Sequence, residues 1–197
     1  MKISGVKLSG GINVSTSAAP APGPTPSGGY QGNNFGYSAG GVTGANLEEN
    51  IIQKYSFTSD ANATDVGDLT LARNGVAGQS SSASGYTSGG DRTIDKFPFA
   101  SDGNATDVGD LNADNQYATG QSSGTSGYSS GGSDPVGNTI DKFSFSADSN
   151  ATDVGDLTVK RYGSSGQSSS VSGYTSGGLA PSSPYNIFIL IVYWTKR

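Results

Sequence analysis

The sequence predicts an all-β repeat protein with about four short strands per unit. Three observations predict it. The chain carries three near-copies of one unit, starting at Ile52, Ile94 and Ile140, 42 and 46 residues apart. Each copy opens on a short run in which aromatic and polar residues alternate. No stretch of any copy spaces its apolar residues as an amphipathic helix does. A fixed period of this size marks a repeat architecture. The longer second interval is absorbed by a loop over residues 133–138.

The first element of a unit is Ile94-Asp95-Lys96-Phe97-Pro98-Phe99, repeated from Ile140 to Phe145 and, with Tyr55 in place of one Phe, from Ile52 to Phe57. Alternation puts Ile94 and Lys96 on one face and Phe97 and Phe99 on the other, as a half-buried strand requires. Pro98 has no N–H to give to a ladder, so it must sit at an edge, a bulge or a strand end. Asp-x-Asn-Ala-Thr follows, a turn composition, because Asp and Asn side chains bond their own backbone. The next block, Asp-Val-Gly-Asp-Leu at 65–69, 107–111 and 153–157, offers Val and Leu as core anchors. A polar strand then starts at the Gly-Gln-Ser-Ser of Gly78, Gly120 and Gly166. The unit closes on Tyr86, Tyr128 or Tyr174 in a short strand ended by a double glycine, which permits positive φ and close backbone approach.

The flanks are different. Residues 1–15 hold Ile3, Val6, Leu8, Ile12 and Val14 at the spacing of a short strand or hairpin, with no apolar run of the kind a secretory signal needs. Residues 16–34 are rich in Ala, Pro, Ser and Gly and read as an extended linker. The N-terminal piece is thus either a tether or a disordered tail. The repeat body, 35–197, opens mid-unit on Phe35-Gly36-Tyr37-Ser38-Ala39-Gly40-Gly41, a degenerate copy of the tyrosine block. It also ends mid-unit. Ile187, Phe188, Ile189, Leu190, Ile191, Val192, Tyr193 and Trp194 fall where the aromatic strand belongs. This run is far shorter than the roughly 20 residues of a membrane-spanning helix. It reads as a strand buried on both faces and hence as an interface, covered by its own fold or by a partner chain.

The order Arg73, Gly78-Gln79-Ser80-Ser81, Tyr86, Gly89-Gly90, then Ile94 to Phe99 resembles the kelch repeat, and Arg161, Gly166-Gln167, Tyr174 and Gly177-Gly178 follow it again. The resemblance covers roughly residues 35 to 194. The usual tryptophan is missing, with Val-Gly-Asp-Leu in its place, and the second unit has Asp114-Asn115 where an Arg is expected. The near-identical blocks also look like the kelch-like tandem repeats encoded by phages of aquatic bacteria. The resemblance implies a β-propeller of about three and a half four-stranded blades in this chain. Closure takes about four to eight blades. The ring is then completed by residues 1–15 or by another chain, and the spacer at 16–34 favours another chain.

Composition narrows the function. Leu, Ile, Val and Phe are only 35 of 197 residues, a level at which disorder becomes a concern. The modest net charge of −5 and the regular aromatic spacing argue for an ordered, thin-walled body instead. With 11 basic residues and a pI near 4.5, nucleic acid is a poor partner. There is no His and no Cys, which removes imidazole and thiolate chemistry together. Carboxylate-pair hydrolysis is set aside because the Asp residues recur in every unit, as architecture does. Two ligand readings remain. Asp60, Asn62, Asp65 and Asp68 recur as Asp102, Asn104, Asp107 and Asp110 and as Asp148, Asn150, Asp153 and Asp156. Ca²⁺ takes oxygen ligands of this kind, although the spacing departs from an EF-hand. The competing reading is Asx-turns with paired carboxylates. Asn62, Asn104 and Asn150 also head Asn-Ala-Thr sequons, which places the turn at the surface. Tyr86, Tyr128 and Tyr174 are candidate platforms for a cell-surface glycan.

The expectation is therefore a non-enzymatic structural protein of a phage particle. It needs no cofactor, with Ca²⁺ as an optional ligand. It would associate with itself or with other virion proteins, decorate the particle or present loops to a host surface, and enter no membrane. A carbohydrate-binding propeller module is the alternative.

Overall fold

The computed structural model describes residues 34–133, 135 and 137–181 of the chain. These residues form strands and turns with no helix. The first sheet is β1 (Phe35–Ala39), β2 (Ile51–Ser56) and β3 (Thr64–Asp68). The second is β4 (Ala77–Ser80), β5 (Ser84–Ser88), β6 (Thr93–Pro98) and β7 (Thr106–Asp110). The third is β8 (Thr119–Ser122), β9 (Ser126–Ser130), β10 (Thr139–Ser144) and β11 (Thr152–Asp156). The fourth pairs β12 (Ser165–Ser168) with β13 (Gly173–Ser176). Consecutive strands are antiparallel neighbours throughout, so each sheet is a simple meander.

Every sheet reuses the same local chemistry. Glycines at Gly67, Gly109 and Gly155 have φ near 150° and sit by a register shift between the last two strands of each of the first three sheets. A bulge of this kind re-aims side chains and increases twist. Gly36, Gly85 and Gly127 lie directly opposite Tyr55, Phe97 and Phe143. The rings lie across these glycines so closely that a Cβ there would overlap ring atoms. Pro98 ends β6 and is exposed, the strand-end solution.

The core lies between sheets. Ile52, Leu69, Phe97 and Ala105 are buried between the first and second, with Tyr37, Val66 and Phe99 packed against them. Tyr86, Ile94, Leu111, Phe143 and Ala151 repeat this between the second and third. Alternation thus works as the sequence predicts: Ile94 turns toward the following sheet and Phe97 toward the preceding one. In chain order the described residues thus form a three-stranded sheet, two four-stranded sheets and a two-stranded one. Among the described residues, no hydrogen bond, ion pair or ring contact joins the first sheet to the last. The residues of the N-terminal element, most of the linker and the apolar run 187–194 lie outside the described residues.

Candidate functional site

The recurrent constellation is the joint between one sheet and the next, and it is built in three layers. Outermost, Lys54 Nζ reaches Asp102 at 2.6 Å and Lys96 Nζ reaches Asp148 at 2.9 Å. Each lysine pKa is raised, chiefly by the hydrogen bond its carboxylate partner accepts. Asn104 Oδ1 accepts from the Asp68 N–H and Asn150 Oδ1 from the Asp110 N–H, both at 3.1 Å. The aromatic layer is next. Tyr37 stacks on Phe99 at 5.0 Å and Tyr86 on Phe145 at 4.8 Å, each flanked by a second Phe. Burial raises the pKa of both tyrosines.

Innermost, β4, β8 and β12 run side by side. A Cβ on Gly120 would overlap the Gly78 carbonyl oxygen, and one on Gly166 would overlap that of Gly120. Only glycine lets the backbones meet there. Gln79 Nε2 donates to the Tyr128 carbonyl and Gln121 Nε2 to that of Tyr174. The Ser80 N–H donates to Ser122 Oγ, and the Ser122 N–H to Ser168 Oγ. The inner strands are polar because their side chains tie sheet to sheet.

A buried charge crosses the first joint. Asp95, fully buried, accepts from Arg73 Nη2 at 2.9 Å, from Thr70 Oγ1 at 2.7 Å and from the Thr70 N–H at 3.0 Å. At the second joint Asp141 accepts from Asn112 Nδ2 and its N–H. Here Asn112 and Asn115 do the work of the missing arginine, Asn115 Nδ2 donating to the Gly131 carbonyl at 2.6 Å.

The sequence-predicted site residues fall into place accordingly. Tyr86 is 2% exposed and its ring is covered by Phe143 and Phe145, which closes it to a glycan. Tyr128 is half-buried beneath Lys142 Nζ, 5.9 Å from its ring centre. Tyr174 is 56% exposed. Asp65, Asp107 and Asp153 each accept from the N–H two residues on, as Asx-turns do. Asp102, Asp148, Asn104 and Asn150 are held in the joints, and the backbone N–H groups of Asp68 and Asp110 with them. Asp60, Asn62 and Asp156 are exposed. Among the described residues no three carboxylates come together as a metal site would need. The interface residues 187–194 lie outside the described residues. Sequence analysis missed Asp95, Asp141, Gln79 and Gln121, although all four recur with the period.

The first sheet shows half a joint. Tyr55 and Phe57 pair edge-to-face at 5.6 Å yet are 40% and 62% exposed. Ala63 is exposed, while its counterparts Ala105 and Ala151 are 8% and 6% exposed. Gln53, exposed, stands where buried Asp95 and Asp141 stand in the other units. No protein-family model matches the chain, and no curated protein matches it.

No helix among the described residues is long and apolar enough to cross a membrane.

Proposed function

We propose that the chain is a non-enzymatic structural repeat protein that associates through its end faces and presents its turns outward. The observation that carries this reading is the half-joint on the first sheet, where Tyr55 and Phe57 expose an aromatic surface that the other units bury. A contiguous apolar patch beside polar turns is the signature of a protein-binding surface. The polar groups of the units support the reading as well, since the recurrent polar side chains of one unit bond to its neighbour.

The resemblance to kelch-like repeats of phages supports a virion as the setting and a propeller, completed between chains or by residues 1–15, as the assembled form. Decoration of the particle or presentation of loops to a host surface follows from that setting. Mass spectrometry of purified particles tests it: the chain is expected among the particle proteins at a stoichiometric level, and its absence sinks the virion reading. A glycan-binding module has less support, because Tyr86 is a core ring and only Tyr174 offers an open face.

A further inference from the structure

The edge of β1 borders a cleft of about 400 Å³. Its walls are β1 with Tyr37 on one side and Gly78, Gln79 and Ser80 of β4 on the other. In the second, third and fourth sheets the strand equivalent to β1 is paired on this side by an inner strand, β4, β8 or β12. In the first sheet, β1 pairs only with β2 among the described residues.

Three features of β4 say what the cleft takes. Gly120 and Gly166 each face the carbonyl of the preceding inner strand, whereas Gly78 is exposed, with nothing described within 4 Å of a Cβ built on it. The hydroxyls of Ser122 and Ser168 accept from the preceding inner strand, whereas Ser80 Oγ accepts from no described residue. The missing neighbour therefore offers a carbonyl at the Gly78 level and an N–H at the Ser80 level. It also needs glycine at that level for a close approach.

Register then locates it in the sequence. Inner-strand residues Ser80, Ser122 and Ser168 lie opposite Gly85, Gly127 and Gly173. Gly78, Gly120 and Gly166 lie opposite Thr87, Ser129 and Thr175. The same offsets from Gly36 and Ser38 fall on Gln31 and Gly29. The glycine demanded by the pattern is present. The turn that follows, Gly32-Asn33-Asn34, has turn composition, and Asn34 already accepts from the Phe57 N–H as Ala83 does from the Phe99 N–H. The run 187–194 contains no glycine and does not fit.

We propose that residues 28–31, Gly-Gly-Tyr-Gln, dock in this cleft as the inner strand of the first sheet, with Gly29 against Gly78 and the Gln31 N–H on Ser80 Oγ. Tyr30 takes the place of Gln79 and Gln121 in the register. The linker is then 16–27, and the first sheet has four strands like the second and third. This assignment stands apart from the virion reading, because it concerns only how the chain completes itself.

Amide hydrogen exchange on the full chain tests it, with Gly78→Ala as a second probe. Exchange at Gln31 is expected to be slowed at least about 100-fold relative to an unstructured peptide, as in a strand that opens only locally. The Gly78→Ala chain is expected to lose that protection, since the new methyl meets the Gly29 carbonyl. Gly124→Ala, at an open turn position, is expected to keep it. Unprotected exchange at Gln31 overturns the proposal. Protection that vanishes on dilution of a dimer also overturns it, and gives the cleft to a second copy. Gly78→Ala with protection unchanged overturns the placement of Gly29.

Discussion

At the residue scale, burial decides which interactions matter. Asp95 and Arg73 are 0% and 2% exposed, and each is the other's charge partner. Removing Asp95 leaves buried Arg73 with only the more exposed Asp91, 3.1 Å away, as a carboxylate partner, a loss of about 3 kcal/mol, the lower end for a broken buried pair. Asp95→Ala is therefore expected to lower the unfolding free energy in urea by that order. Gln53, at the same place in the first unit, has no such neighbour, and Gln53→Ala is expected to fall within about 0.5 kcal/mol of the parent. The tyrosines divide the same way. Tyr86→Ala removes a ring packed on two phenylalanines and is expected to cost about 3–5 kcal/mol, while Tyr174→Ala changes stability little. A glycan titration that loses binding in Tyr174→Ala with the fold intact would revive the carbohydrate reading. The pH dependence follows from the same contacts. Tyr37 and Tyr86 are raised by burial, so above their unfolded value the unfolded chain ionises first and gains. Lys54 and Lys96 are raised by their aspartates, so their contribution is whole below the unfolded lysine value and is lost as pH rises through the folded one. Both signs agree. Thermal melting is expected to fall as pH passes about 10, and a melting temperature still rising there would contradict the assignment.

At the scale of elements, the unit is a strand meander whose glycines set the distance between sheets. Gly120 is the sharpest case, because its Cα faces the backbone of Gly78 and no side chain can yield. Gly120→Ala is expected to push β8 off β4 and cost about 1–3 kcal/mol, as overpacking does. Circular dichroism and urea titration check it, with Gly124→Ala as the silent comparison. The alternation Ile-x-x-Phe-x-Phe, the turn composition of Asp-x-Asn and the double glycines were legible from sequence because each is a local rule of backbone or burial. The inner layer was legible as polar strands but not in its sheet-to-sheet contacts. Gly-Gln-Ser-Ser is a weak strand signal, and its order comes from contacts to a residue 42 to 54 positions away. For the same reason the Asp residues left two readings open in one dimension, Ca²⁺ ligands or Asx-turns with paired carboxylates. In three, Asp102 and Asp148 neutralise lysines of the preceding sheet and Asp65, Asp107 and Asp153 close turns.

At the scale of the whole molecule, identical residues change burial along the row. Leu69 and Leu111 are 3% and 1% exposed, while Leu157 is half-buried. Val66 and Val108 are packed, while Val154 is 51% exposed. Among the described residues, the third sheet is thus less covered on its following side and the first on its preceding side. Fully burying a side chain of this size contributes roughly 1.5–3 kcal/mol, against roughly 0–1 kcal/mol for an exposed ion pair. In the proposed end-to-end association the aromatic layer would supply the driving force and the Lys–Asp layer the direction. Light scattering on the purified chain is expected to give a mass above that of one 19.8 kDa chain. Tyr55→Ser with Phe57→Ser is expected to return it to one chain at the same concentration, because both rings sit on the open face. Raising the salt to about 1 M, which screens exposed charges beyond about 3 Å, is expected to leave the mass largely intact. EDTA is expected to leave it intact too, since the turns are closed by their own backbone. An oligomer that falls apart in EDTA would put a cation in the Asp-x-Asn turns at the chain–chain joint. A monomer in every condition would mean that the open faces are covered within one chain, and the self-associating scaffold would give way to a closed single-chain body.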